Sequence, residues 1–226
     1  PIIPRSGYIV EFNALWYNAL RFYALLLTET GSEENRQKAQ EYEREAEDVS
    51  QSFKKIFLNE YGYLLDYVDG PMMDWSVRPN QIFAIALDFS PLDLKERKKV
   101  LDICTKELVT PKGIRSLSPK SGGYTPMYVG PQSQRDQAYH QGTAWPWLTG
   151  FYLEAYLRIY KMSGLGYIER QLIGFEEELF YHCIGTIPEL FDGNPPFSGR
   201  GAISFAMNVS GILRAIRLYE RNKIED

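Results

Sequence analysis

Two stretches of this chain concentrate the side chains that could do chemistry. Pro119–Gly142 (PKSGGYTPMYVGPQSQRDQAYHQG) gathers Tyr124, Tyr128, Arg135, Asp136, Tyr139, His140 and Gln141 just ahead of Trp145 and Trp147. Planar hydrogen-bonding groups such as Arg, Asp and Gln suit paired sugar hydroxyls, and flat aromatic rings suit the C–H faces of a sugar. Long loops inside compact domains are functional or disordered, and the aromatic and amide content argues against disorder. The second stretch, Gly185–Gly193 (GTIPELFDG), sets Glu189 among Ile187, Pro188, Leu190 and Phe191. A carboxylate held among apolar neighbours can be tuned for proton transfer, so Glu189 is the candidate catalytic residue. Asp192 follows in a Phe-Asp-Gly turn, where an Asp side chain tends to bond its own backbone. His140 has two readings, a catalytic base or a hydrogen-bond donor to ligand.

Further candidates recur along the chain. Glu11, Asn13 and Trp16 fall on one side of a first helical segment, and Arg78, Asn80 and Gln81 open a second. Taken singly, Asn80 reads as a helix cap and Arg78 as half of an ion pair. Their recurrence at corresponding positions favours a shared cleft. His182, Cys104 and Cys183 read as structural, since a nucleophilic thiol would want a nearby base. Two widely spaced Cys give no disulfide framework, and two His with two Cys make no metal-ligand set. Neither a Ser-His-Asp spacing nor a phosphate-cradling glycine loop occurs. No cofactor or metal is expected.

The elements that must position these residues are helical. Val10–Thr28 is apolar at three- and four-residue spacing, as in a buried helix. Ser32 can cap a charged, amphipathic helix over Glu33–Leu58. The same contrast of apolar and amphipathic helix continues in Pro79–Asp88, Asp93–Leu108, Gly142–Met162, Tyr167–Phe180 and Ala202–Tyr219. After each amphipathic segment comes a similar phrase, beginning at Gly62, Gly113 and Gly185, followed by a Gly/Pro/Ser-rich loop. The interval is on the order of 60 residues, one helix hairpin plus one functional loop per repeat. Such hairpins can close into a ring with apolar helices inside and the loops at one end. Seven helices are expected where a closed six-hairpin ring needs twelve, so the reading is all-α, an incomplete (α/α)6 toroid spanning the whole chain as one domain.

Composition narrows the partners. At 226 residues, 44% hydrophobic and 24% charged, the chain is an ordinary globular one. Its net charge of −4 favours neither nucleic acid nor an anionic membrane. No apolar run approaches membrane-spanning length, and the first residues carry no secretory leader pattern. A cytoplasmic protein is expected. The 16 Tyr, 12 Phe and 4 Trp are the unusual feature, serving a core or stacking on sugars.

Five phrases carry a resemblance: Val10–Phe22 (VEFNALWYNALRF), Arg78–Leu87 (RPNQIFAIAL), Gly113–Pro119 (GIRSLSP), Arg135–Trp147 (RDQAYHQGTAWPW) and Gly185–Gly193 (GTIPELFDG). In that order they resemble the C-terminal amylo-α-1,6-glucosidase region of glycogen debranching enzymes, and residues 1–226 read as a C-terminal part of that toroid catalytic domain. The resemblance implies an (α/α)6 toroid that removes α-1,6-linked glucose from branched α-glucan or malto-oligosaccharide with inversion, with Glu189 as the base that activates water. It also implies a general acid in a Trp-Met-Asp segment, which this sequence lacks, so the isolated chain is expected to be inactive. Phe205 and Met207 stand where the family tends to carry Gln and Trp. The alternatives are a glucan-binding module without catalysis, or a sugar epimerase on a similar ring that uses His. Seven helices would leave apolar surface for self-association.

Overall fold

A computed structural model describes residues 4–182 and 184–224 of the chain. They form two compact units, one of Arg5–Trp75 and Asn80–Val100, the other of Ser76–Pro79 and the residues from Leu101 onward.

In the first unit, α1 (Val10–Glu29) and α2 (Glu33–Phe57) make a hairpin. Ser32 caps α2 as its sequence predicts, its hydroxyl accepting from the Asn35 N–H at 3.1 Å. The hairpin closes over Tyr17, Leu20 and Ala46, with Ala24, Leu27 and Ala39 further along. A small antiparallel sheet joins β1 (Tyr8–Ile9), β2 (Tyr67–Asp69) and β3 (Met72–Met73) in that order. The expected Pro79–Asp88 helix is a 3₁₀ turn, Pro79–Gln81, leading into α3 (Ile82–Ala86). Helix α4 (Leu94–Leu108) begins in this unit and ends in the other.

The second unit is organised by a five-stranded antiparallel sheet that the helical periodicity concealed. Its strands are β4 (Val109–Thr110), β5 (Gly113–Arg115), β6 (Ala144–Trp145), β7 (Leu190–Phe191) and β8 (Gly199–Arg200), in sequential order. Ile114 pairs with Trp145, Ala144 with Phe191 and Leu190 with Arg200. Ladders of two or three residues leave no alternation to read.

This sheet shifts two helix starts. The helix expected from Gly142 begins as α6 (Trp147–Tyr160), because Ala144 and Trp145 are committed to β6 and Pro146 sets the entry. The helix expected from Ala202 begins as α8 (Ala206–Ile224), because the preceding residues run alongside β7. Helix α7 (Leu165–Glu176) continues in a 3₁₀ turn to Leu179. The Pro119–Gly142 stretch, expected as loop throughout, contains α5 (Gln132–Ala138), anchored by buried Ala138. All seven expected helices occur among the described residues, and α5 is an eighth.

Helices α6 and α8 cross at glycines. A Cβ on Gly150 would lie 2.6 Å from the Gly211 carbonyl oxygen, and one on Gly211 would lie 2.5 Å from the Trp147 backbone. The core beside this crossing packs Ala144, Phe175, Ile187, Phe191 and Ile212. No helix among the described residues is long and apolar enough to cross a membrane.

Candidate active site

Strand pairing builds the site. Strands β6 and β7 pair antiparallel at Ala144 and Phe191, and Tyr139, ahead of β6, packs its ring on Trp145 and so comes near Glu189, which precedes β7. Tyr139 donates its phenolic hydroxyl to Oε1 of Glu189. From the other flank β8 brings Ala202, whose backbone N–H donates to Glu189 Oε2 at 2.9 Å. Glu189's own N–H returns to the Ala202 carbonyl at 2.9 Å. An ionised carboxylate offers about four lone-pair sites, so a fixed Glu189 keeps acceptor capacity for a water or a hydroxyl.

Asn208, fully buried in the first turn of α8, locks the backbone beneath. Its Nδ2 donates to the Pro188 and Glu189 carbonyls at 2.5 and 2.6 Å, and its Oδ1 accepts from the Trp147 N–H at 3.0 Å. One amide therefore ties the candidate base to the start of α6. Sequence reasoning missed Asn208, whose signal was a lone amide in an apolar helix start.

Glu189 borders an open cavity of about 590 Å³ lined by Tyr128, Val129, Gly130, Gln132, Arg135, Arg200 and Gly201 as well. Asp192 lies beneath and is completely buried. Against the expectation of a local turn bond, its Oδ2 accepts from Arg200 Nε and Nη2 at 2.9 and 2.8 Å. Its Oδ1 accepts from the Tyr128 N–H at 2.8 Å. Asp192 thus fixes two walls of the cavity, which requires partners 64 and 8 residues away that turn propensity does not reveal.

The remaining candidates of this unit fall into layers. Arg135 reaches the cavity and donates to Gln132 Oε1 at 2.8 Å, while exposed Asp136 accepts from Gln132 Nε2 at 2.5 Å. Trp145, expected to line the cleft, is 6% exposed and lies under it. Its Nε1 donates to Thr143 Oγ1 at 3.1 Å, and its ring supports Tyr139 edge-on and His140 face-on. The pairing of β6 with β5 on one side and β7 on the other draws it inward. His140 therefore stands on an indole floor. Partial desolvation there, on a ring that keeps an exposed side, then the Arg78 charge, hold its pKa below the ordinary histidine value, with Glu189 opposing. Burial first, and the Glu189 carboxylate second, push the Tyr139 phenol far above the usual tyrosine range, so it remains a donor.

Arg78 is buried and acts as a strut, donating to the His140 carbonyl at 2.9 Å, Gln141 Oε1 at 2.8 Å and the Ser116 carbonyl at 3.3 Å. Its ligand-binding reading gives way to fixing the loop that carries Tyr139, and Gln141 is one of its partners. Trp147 is half-buried, its ring edge-on to Phe151 at 6.2 Å.

In the other unit, both oxygens of the candidate Glu11 accept from Arg5, at 2.6 and 2.7 Å. Arg5 also pairs with Asp66 at 2.7 Å, and Asn80 donates to Asp66 Oδ1 at 2.8 Å. Gln81 is buried and accepts from the Leu64 N–H at 3.2 Å, a structural bond in place of the expected ligand contact. Asn13 donates to the Ile9 carbonyl at 2.8 Å, and Trp16 is half exposed. Cys104 is a buried free thiol whose pKa burial pushes up. Cys183 lies outside the described residues, and His182 sits in the turn after α7 rather than on a helix. No cluster of three metal-ligating side chains occurs among the described residues.

Comparison with known proteins fixes the family. The sequence profile of the amylo-alpha-1,6-glucosidase family matches residues 1–214. The chain belongs to the amylo-alpha-1,6-glucosidase family. A curated relative, the glycogen debranching enzyme of Saccharomyces cerevisiae, is 32% identical over an alignment of 190 positions that covers 69% of this chain and 12% of that enzyme. The chain thus spans about an eighth of the length of that relative. A neutral trehalase from Saccharomyces cerevisiae is similar in structure, with a TM-score of 0.64 at 16% identity over 93% of this chain and 39% of the trehalase. At that identity the likeness shows the fold, the α/α-toroid class expected of an amylo-alpha-1,6-glucosidase chain.

Proposed function

We propose that this chain carries the general base of an inverting glycoside hydrolase that removes α-1,6-linked glucose from branched α-glucan, and that Glu189 is that base. The observation that carries the reading is the Glu189 carboxylate, oriented by Tyr139 and the Ala202 N–H at the wall of an open cavity of about 590 Å³. Inversion uses two carboxyl groups, one protonating the leaving oxygen and one activating water from the opposite face. Glu189 takes the water, drawing off its proton as the oxygen attacks the anomeric carbon. Arg135, Tyr139, His140 and Gln141 border the sugar, with Arg200 beside them. The proton donor belongs at the family's Trp-Met-Asp position, which has no counterpart in this sequence. The isolated chain therefore binds glucan without turning it over. A cytoplasmic location belongs to the same reading, supported by the unpaired Cys104 thiol.

The test uses a branched dextrin carrying single α-1,6-linked glucose stubs. In a longer family chain that includes the Trp-Met-Asp segment, Glu189→Gln lowers glucose release by roughly 10²–10⁴-fold, the share a general base supplies, with glucan affinity preserved. Turnover close to that of the parent excludes Glu189 from the mechanism. Glucose release by the present chain equal to that of the longer one refutes the missing donor. If the longer chain also binds without turnover, the non-catalytic glucan-binding module is the better reading. An epimerase would rest on His140, whose ring lies flat on Trp145.

A further inference from the structure

The ladder between β7 and β8 breaks at the candidate base. Leu190 stands opposite Arg200, and beyond Phe191 the Asp192 N–H donates to the Ser198 carbonyl at 2.9 Å. Hydrogen-bonded pairs alternate along an antiparallel ladder, so carrying this register on past Leu190 would set Pro188 opposite Ala202, with the Ala202 N–H on the Pro188 carbonyl. The bonds made are different. The Ala202 N–H donates to the Glu189 carboxylate at 2.9 Å, and the Ala202 carbonyl accepts from the Glu189 N–H at 2.9 Å. The peptide joining Pro188 to Glu189 is therefore turned over, its N–H toward β8 and its carbonyl away. Local breaks of this kind re-aim a side chain.

A peptide turned out of its ladder leaves a carbonyl that needs a new donor. Asn208 supplies it. Its side chain is fully buried in the first turn of α8, and an amide nitrogen carries two hydrogens. Nδ2 donates to the Pro188 carbonyl at 2.5 Å and to the Glu189 carbonyl at 2.6 Å. Oδ1 accepts from the Trp147 N–H at 3.0 Å, which fixes which way round the amide lies. Successive carbonyls of a regular strand point to opposite sides, so two of them converging on one nitrogen belong to the turned-over peptide and not to the ladder.

Resting on the reading of Glu189 as the base, we propose that Asn208 is its positioning residue. By holding the Pro188 and Glu189 carbonyls, Asn208 keeps the Ala202 N–H off the ladder and on the carboxylate. Without that amide the peptide turns back, the Ala202 N–H returns to the Pro188 carbonyl, and Tyr139 alone orients Glu189. Asn208 does not line the cavity, so it acts only through the backbone of the base.

A double-mutant cycle in glucose release from branched dextrin tests this, in a longer family chain that includes the Trp-Met-Asp segment. Asn208→Asp keeps the side-chain shape, but a carboxyl group donates at most one hydrogen where the amide donates two. A reacting group displaced by about 1 Å can cost on the order of 10²-fold. Asn208→Asp is accordingly expected to lower kcat roughly 10–100-fold with KM little changed. In a Glu189→Gln background the same substitution costs little more, because the two residues act as a unit. A purely structural role would lower the rate by the same factor in both backgrounds. Asn208→Ser, smaller and with one hydroxyl hydrogen, runs the same cycle if the buried carboxyl prevents folding. Equal factors in both backgrounds, or a rate for the Asn208 variant within about twofold of the parent, overturn the positioning role while Glu189 remains the base. Parent-like turnover by Glu189→Gln alone overturns the base and its positioning residue together.

Discussion

Tyr139 and Glu189, 50 residues apart in the chain, share a hydrogen bond in which the phenol donates to the carboxylate. Neither segment could arrange this alone. Tyr139 follows α5, Glu189 precedes β7, and the antiparallel pairing of β6 with β7, with Tyr139 packed on Trp145, brings the two together.

Tyr139→Phe removes that donor while keeping the ring that packs on Trp145 and Tyr128. A hydrogen bond to a charged group contributes about 1.5–3 kcal/mol, and about 1.4 kcal/mol is tenfold in rate. Glucose release by a longer family chain carrying Tyr139→Phe is expected to fall roughly 10–100-fold, with glucan affinity little changed. A rate within twofold of the parent would show that Ala202 alone orients the carboxylate.

Asp192 and Asp136 should separate cleanly in stability. Asp192→Asn weakens a fully buried carboxylate that holds Arg200 and the Tyr128 N–H. Breaking a buried pair costs about 3–5 kcal/mol, and because the Arg200 side chain is 34% exposed the expected loss is smaller, about 2–3 kcal/mol. Asp136→Ala removes an exposed carboxylate whose partner Gln132 sits on the same short helix, and should stay within about 0.5 kcal/mol. Urea denaturation of both variants checks this, and equal losses would contradict the assignment.

His140 should make the protein acid-sensitive. Its pKa is held below the ordinary value by partial desolvation and by Arg78, so the folded protein takes up this proton at lower pH than the unfolded chain, whose histidines titrate near about 6.5. Below that pH the unfolded state binds more protons, and stability falls as pH drops toward the folded-state value. His140→Gln should lose less Tm than the parent between about pH 7.5 and about pH 5.5. The same drop in both would assign the acid sensitivity elsewhere.

The helices were legible because helical periodicity persists over many residues, as in α1 and α2. Tyr139 and Glu189 were legible as candidates because their types suit the chemistry. Trp145 was misplaced, since an aromatic residue beside a functional loop reads alike whether it lines a cleft or supports it, and only the ladder from β5 to β7 settles which. Asp192, Arg200 and Asn208 draw their roles from partners elsewhere in the chain or from backbone groups, which residue type does not display. Glu11 and Arg5 are close in sequence, but two polar residues at that spacing are common on helix entries.

Two glycines offer a matched test of how tightly the base is held. Gly201 and Gly185 have the same left-handed backbone, φ +73°. Alanine in that region costs roughly 1–2 kcal/mol, so both substitutions should lower stability alike. They differ in surroundings. Around Gly185 nothing lies within 4 Å of an added Cβ, whereas at Gly201 that atom would stand 2.9 Å from the Cβ of Glu189 and closer still to Oε2. Gly201→Ala must therefore push the carboxylate off the Ala202 N–H or away from Tyr139. A displacement of about 1 Å at a reacting group can cost on the order of 10²-fold in rate. In a longer family chain Gly201→Ala should accordingly lose about 100-fold in glucose release, while Gly185→Ala retains the parent rate at a similar Tm. If the two variants lose activity equally, backbone strain rather than the position of Glu189 governs the rate.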